Sequence, residues 1–357
     1  MKATAGATLL VLSLAVAGFS EGSGWEPLLP IRGELPLVGV VPVVYDWDGN
    51  GSLDVVLSTQ EGKLVVLETQ TGLVRFAVDR AYALARIDET HQPLPAMLPK
   101  TAHGWPARID IYDTWQTDST PDIAAFSEDL ELLVYEQSTD RRDVLWGPTD
   151  GCVGIPLCSG ERHSASVRFV NWDWYDNYDI DLLVATDECY IVMGEPPPVQ
   201  TVAPIPPVFD WPDYWNSEAW CGANSQREEH QLFGLSGYGV VPWAVDWNGD
   251  GLLDIVLGYA ANTPLGTLGR VLLAANQGTA EDPAFGDPGG YGNESFLVDG
   301  TGSPITSGEY AAIAVCDANL DGVWDVLVGG DGPLALYLGQ GGLRLVKAWE
   351  IRSLRFE

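Results

Sequence analysis

Three nine-residue stretches of the chain carry oxygen-bearing side chains at one spacing. They are Asp46-Trp47-Asp48-Gly49-Asn50-Gly51-Ser52-Leu53-Asp54, Asp246-Trp247-Asn248-Gly249-Asp250-Gly251-Leu252-Leu253-Asp254 and Asp317-Ala318-Asn319-Leu320-Asp321-Gly322-Val323-Trp324-Asp325. Each reads D-x-[DN]-x-[DN]-G-x-x-D. Positions 1, 3, 5 and 9 supply side-chain oxygens, and position 7 (Ser52, Leu252, Val323) can supply a backbone carbonyl. The glycine at position 6 permits the tight turn that wraps these groups around one hard cation. Calcium, which takes several oxygens in a flexible shell, is the expected occupant. The alternative is a plain Asp/Asn/Gly turn that binds nothing, and three full matches weigh against it.

The residues around the loops decide what kind of site they make. An EF-hand continues to a bidentate Glu at position 12 inside a helix. Here position 12 is Leu57, Leu257 or Val328. The flanks are short apolar runs rich in β-branched residues, such as Val41-Pro42-Val43-Val44-Tyr45 before the first loop and Val55-Val56-Leu57 after it. Such runs predict buried strands, so each loop joins two strands rather than two helices.

Two weaker copies lie between the first and second full loops. Asp113 to Asp122 is one residue longer and lacks the glycine, and Asp173 to Asp181 has Tyr175 and Tyr178 at positions 3 and 6. Loop starts at 46, 113, 173, 246 and 317 are separated by 67, 60, 73 and 71 residues, which defines one unit repeated five times. In unit one Lys63-Leu-Val-Val-Leu67 and Val74-Arg-Phe-Ala-Val78 follow the loop, and unit five repeats the pattern through Ala335–Leu338 and Leu343–Trp349. With the strand before each loop this gives four strands per unit. The fold class expected is all-β: a β-propeller of about five four-stranded blades, with the calcium loop between the first and second strands of a blade. The units fall near 35–80, 105–140, 165–195, 233–285 and 308–350, within a single domain spanning 25–357.

These units resemble FG-GAP/VCBS-type repeats, the calcium-loop propeller blades of integrin α-subunit heads and many secreted proteins. Unit four is the nearest match, with Phe233-Gly234 as the blade opening, Gly258-Tyr259-Ala260 where the family has Gly-Ala-Pro, and Gly269-Arg270-Val271 beyond it. The other units lack the Phe-Gly opening. The resemblance covers about residues 35 to 350. It implies loops that rigidify blades rather than perform chemistry, and it allows up to seven blades, as in integrin-like heads.

The chain has 357 residues, 46% of them hydrophobic and 10% aromatic, with 40 Gly and 24 Pro. That suits a packed core of many short strands and turns. Residues 1–20 read as a secretory signal: Lys2, an apolar run from Ala7 to Ala17, then small residues for cleavage. The expected location is therefore extracellular, where calcium is available and disulfides are permitted. Of the five cysteines, Cys152 and Cys158 are read as a local bridge and Cys189 with Cys221 as a second candidate pair, while Cys316 reads as a buried free thiol. Fifty acids against 18 bases give a net charge of −32. Such a surface repels nucleic acid and anionic membranes, and after the signal no apolar run is long enough to span a bilayer.

Two aromatic, Pro-rich insertions stand outside the repeat, Ala81 to Pro106 and Glu195 to Gln231, the second carrying Trp211, Tyr214, Trp215 and Trp220. They are read as binding loops or as covers for an adjacent blade. Catalysis has little support, because His91, His103, His163 and His230 are scattered and no nucleophile motif accompanies them. Asn293-Glu294-Ser295 matches a glycosylation acceptor. The expected function is a secreted, calcium-binding module for a protein or surface ligand in adhesion. The alternatives are a carbohydrate-binding lectin and a secreted lyase or hydrolase using a propeller cleft.

Overall fold

In the computed structural model residues 29–87, 237–280 and 296–357 are described continuously, and between 93 and 234 the description is confined to strands and short runs beside them. The expected signal segment, the interiors of the two weaker loops, Cys152, Cys158, Cys221, Asn293 and most of the second insertion lie outside the described residues.

The described residues form strands and turns and contain no helix. Two short strands, β1 (Leu29–Pro30) and β2 (Gly33–Pro36), precede the first repeat. Unit one is an antiparallel meander of β3 (Val38–Tyr45), β4 (Asp54–Ser58), β5 (Leu64–Thr69) and β6 (Val78–Ala83). A small hairpin follows, β7 (Ala85–Ile87) with β8 (Pro93–Pro95). Unit two consists of β9 (Ile109–Tyr112), β10 (Asp122–Phe126), β11 (Glu131–Gln137) and β12 (Trp146–Pro148), and β13 (Val153–Gly154) also pairs with β11. Unit three is β14 (Ser166–Val170), β15 (Asp181–Ala185), β16 (Glu188–Val192) and β17 (His230–Gly234). Unit four comprises β18 (Gly237–Val245), β19 (Asp254–Thr263) and β20 (Gly266–Ala274). Its fourth position is held by bridges from Phe296 to Leu272 and from Thr306 to Arg270. Unit five contains β21 (Ala311–Cys316), β22 (Asp325–Gly339) and β23 (Leu345–Ile351), and β24 (Ser353–Phe356) ends the chain.

β22 hides a hairpin. Fifteen extended residues would span about 50 Å, yet the Gly339 amide donates to Asp325 Oδ1 at 2.8 Å. The stretch therefore folds back near Asp331-Gly332, and its two halves take different partners, Asp325–Gly330 with β21 and Leu334–Gly339 with β23. Unit five thus also has four strands.

The expected boundary between units three and four moves. Phe233-Gly234 was assigned to the opening of unit four, but it lies in β17, where Phe233 pairs with Cys189 and Gly234 with Glu188. The second insertion accordingly falls between the third and fourth strands of unit three.

Side-chain alternation explains why the strands read as unbroken apolar runs. In β4 and β5, Val55, Leu57, Val65 and Leu67 join a core with Ala314, Cys316, Leu327 and Leu336 of unit five. Their neighbours Val56, Leu64 and Val66 face the other way, into a core with Ile109, Ile111 and Ile123 of unit two. In unit four Val256 packs with Ile313 and Val315 of unit five, whereas Ile255 and Leu257 pack with Leu183 and Ala185 of unit three. Each of these sheets is buried on both faces, so both sets of alternating positions must be apolar. The first strands are neighbours in cyclic order: β3 lies against β9, β9 against β14, β14 against β18, β18 against β21, and β21 against β3. The strands flanking the first and last repeats are joined as well, since β2 pairs with β24 from Gly33 opposite Phe356 to Pro36 opposite Ser353.

Candidate metal centre

The three full loops sit where the sequence places them, between the first and second strands of units one, four and five. They share one hydrogen-bond scheme. The position-9 carboxylate is fully buried and bridges two strands. Asp54 accepts from Trp47 N at 2.9 Å and from Thr69 N at 2.7 Å. Asp254 does the same for Trp247 and Asn276, and Asp325 for Ala318 and Gly339. The position-1 carboxylate accepts from the amide of position 6: Gly51 to Asp46, Gly251 to Asp246, Gly322 to Asp317. The amide of position 5 donates to the side chain of position 3, Asn50 to Asp48, Asp250 to Asn248 and Asp321 to Asn319. The amide of position 7 donates to position 5: Ser52 to Asn50, Leu252 to Asp250, Val323 to Asp321.

Such a turn needs left-handed backbone at positions 4 and 6. Glycine supplies it at Gly49, Gly51, Gly249 and Gly251, with φ between 71° and 90°. In the third loop position 4 is Leu320, held at φ 60° with 88% of its surface exposed. No packing compensates that leucine for a conformation that crowds its Cβ.

The loops differ in what their carboxylates leave open. In loop one Asp46, Asp48 and Asp54 each bring an oxygen within 4.8 Å of the others, the one such triad among the described residues. Asp46 Oδ1 is buried there without a hydrogen-bond partner. In loops two and three both position-1 oxygens are taken by backbone amides, Asp246 Oδ1 by Gly249 and Asp250, and Asp317 Oδ1 by Asp321. An Asn amide points at the acid two positions away in all three loops, Asn50 at Asp48, Asn248 at Asp250 and Asn319 at Asp321, each at 2.9 Å.

Electrostatics agree with the geometry. Burial pushes the Asp54 carboxyl up to about 7, against the amides of Thr69 and Trp47 that pull it down, and nearby Asp48 adds to the rise. Burial likewise raises Asp325 to about 6, and raises Asp46 and Asp254. Three carboxylates with oxygens within 4.8 Å of one another, one oxygen bare, form a donor set for a hard cation, so loop one fits calcium. Beside it opens a groove of about 530 Å³ lined by Asp48, Asn50, Ser52, Glu68, Gln70 and Arg80. Glu68 at its floor receives Arg80 Nε at 2.5 Å and the Tyr82 hydroxyl at 2.8 Å.

The tryptophans of the loops have a structural use. Trp324 Nε1 donates to the Asp246 carbonyl at 2.6 Å, and Trp247 Nε1 to the Gly342 carbonyl at 2.9 Å, which ties the loop-bearing ends of units four and five together. Sequence reading also passed over Arg168. Its guanidinium lies 3.9 Å from the Trp243 ring centre and donates to Asp110 at 2.6 Å and to the Pro242 carbonyl at 3.0 Å. It thereby joins the first strands of units two, three and four beside a cavity of about 170 Å³. The available signal was a charge inside an apolar strand, Val167-Arg168-Phe169. Cys316 is buried with a free thiol, as expected.

No family model matches the chain, and no curated protein matches it. Among solved structures, similarity is found to two crystal structures of BBS1N in complex with ARL6DN. The one soaked with lead is 11% identical at a TM-score of 0.37, covering 89% of this chain and 86% of that one. The one soaked with mercury is 13% identical at 0.32, covering 87% and 82%. At these scores the likeness assigns neither fold nor partner.

Proposed function

We propose that the chain is an extracellular five-bladed β-propeller of the FG-GAP/VCBS kind. Calcium bound in loop one stiffens it, and it serves as a binding module for a protein at a surface. The ring reading is supported by the cyclic order of the first strands and by sheets buried on both faces. The observation that carries the calcium reading is the convergence of Asp46, Asp48 and Asp54, with Asp46 Oδ1 unpartnered. In loops two and three every position-1 oxygen already accepts at least one backbone amide, so calcium would share those oxygens with the turn.

The test is thermal unfolding with and without calcium. EDTA should lower Tm by about 5 °C and added calcium should restore it, as expected for a ligand well above its Kd. Asp48→Ala should remove one ion in a stoichiometry measurement and leave the metal-free Tm unchanged, because Asp48 bonds only to Asn50 within the loop. Identical melting curves with and without calcium would refute the metal site. A second reading, a lectin, is favoured by the groove beside loop one, whose amide, carboxylate and guanidinium groups suit sugar hydroxyls. Binding to a glycan array separates it from the protein binder, which should instead retain a protein in pull-down from extracellular material.

A further inference from the structure

Two arginines are buried in or beside the first strands of units two and three, and their surroundings differ. Arg168 has a carboxylate partner and carbonyl acceptors. Arg108, one residue before β9, is 1% exposed and shows no ion pair with any described carboxylate. Its Nη1 donates to the Pro106 carbonyl at 2.9 Å, but Nε and Nη2 are buried without partners. The guanidinium carbon lies 4.9 Å from the Tyr310 ring centre and 5.5 Å from that of Trp105. The two rings stack at 4.3 Å, and the Tyr310 hydroxyl is also buried without a partner.

Three polar groups with no hydrogen-bond partner therefore lie on two side chains in contact. A guanidinium stays charged at any ordinary pH and can only donate. A buried charge without a counter-charge is strongly disfavoured, and contact with aromatic faces offsets only part of that. Gly239 of β18 closes the spot tightly: a Cβ there would stand 2.5 Å from Trp105 Cζ3 and 3.3 Å from Arg108 Nη2. The crowding favours an acceptor of atomic size over a polyatomic one.

We propose that Arg108 and Tyr310 form a small-anion site between units two, four and five, taking a halide-sized monoanion such as chloride. Arg108 Nε and Nη2 and the Tyr310 hydroxyl donate to it. Because Arg108 belongs to unit two, Tyr310 adjoins the first strand of unit five and Gly239 lies in unit four, the ion ties together units that are distant in sequence.

The test is Tm at constant sodium, with chloride replaced by bulky gluconate. Chloride should raise the wild-type Tm by about 2–4 °C. Arg108→Met should abolish the difference, and Tyr310→Phe, which keeps the ring stack, should reduce it. Equal wild-type Tm in the two salts overturns the proposal, as does an undiminished chloride shift in Arg108→Met. Should Arg108→Met fail to fold, the wild-type protein crystallised in bromide decides. An anomalous peak within hydrogen-bonding distance of Arg108 Nη2 supports the site, and a water-like density with no anomalous signal overturns it. None of these readouts depends on calcium, so the metal reading can fail without this one.

Discussion

At the scale of the residue, the ninth position of each loop joins architecture to ion chemistry. Asp54, Asp254 and Asp325 each accept one amide from their own loop and one from the third strand of the sheet. Asp54→Ala should strand two donors and cost about 2–4 kcal/mol in urea unfolding, even without metal. The pH response follows from the raised carboxyls, about 7 for Asp54 and about 6 for Asp325. An unfolded aspartate ionises near 4. Between these values the folded protein holds protons that the unfolded chain has released. Stability is therefore greatest below the unfolded value and falls as pH rises through 6 to 7. Metal-free protein should melt higher at pH 5 than at pH 8, and calcium, which favours the carboxylate, should flatten that slope. General relief of acidic repulsion acts in the same direction, so the discriminating measurement is Asp54→Asn, whose slope should be shallower than wild type. At Leu320 the expectation is a gain: Leu320→Gly should raise stability by about 0.5–1 kcal/mol, read as a higher urea midpoint, because it relieves the left-handed strain.

At the scale of the element, the sequence was most informative where patterns are local. The loop spacing located three strand pairs correctly, since Val55-Val56-Leu57 and its counterparts have both faces to bury. What stayed illegible depends on pairing across long separations. Phe233-Gly234 reads as the start of a repeat, yet its partner is β16, on the other side of the second insertion, and no local pattern records that choice. The turn inside β22, by contrast, was legible, because Gly329-Gly330-Asp331-Gly332 separates Asp325–Val328 from Ala335–Leu338, which the repeat pattern reads as two strands. Arg108 and Arg168 were passed over because an isolated charge in an apolar strand announces burial without naming its neighbour. The three loops look alike as sequence, and only side-chain geometry separates loop one, with its bare Asp46 oxygen, from the two in which both oxygens of the first carboxylate accept backbone amides.

At the scale of the whole molecule, the cyclic order of the first strands leaves one junction to be made last, between units five and one. Its contacts include the pairing of Val40 with Gly330, the bond from Leu334 N to the Leu37 carbonyl at 2.9 Å, and the ladder of β2 with β24. Leu354 and Phe356 also lie against the core shared by units five and one. Removing residues 353–357 should cost about 2 kcal/mol in urea unfolding. It should also expose the β2 edge to proteolysis, observed as early cleavage near Gly33.

That ladder has a bearing on how the protein is made. Gly33 and its partner Phe356 stand 323 residues apart in sequence, the longest separation bridged by the pairing of two strands among the described residues. Individual sheets can form during synthesis, since their strands are close in sequence. The seam between units five and one must wait until Ser353–Phe356 has emerged, so a ribosome stalled before residue 353 should hold an open, protease-sensitive chain that closes only once that strand is free.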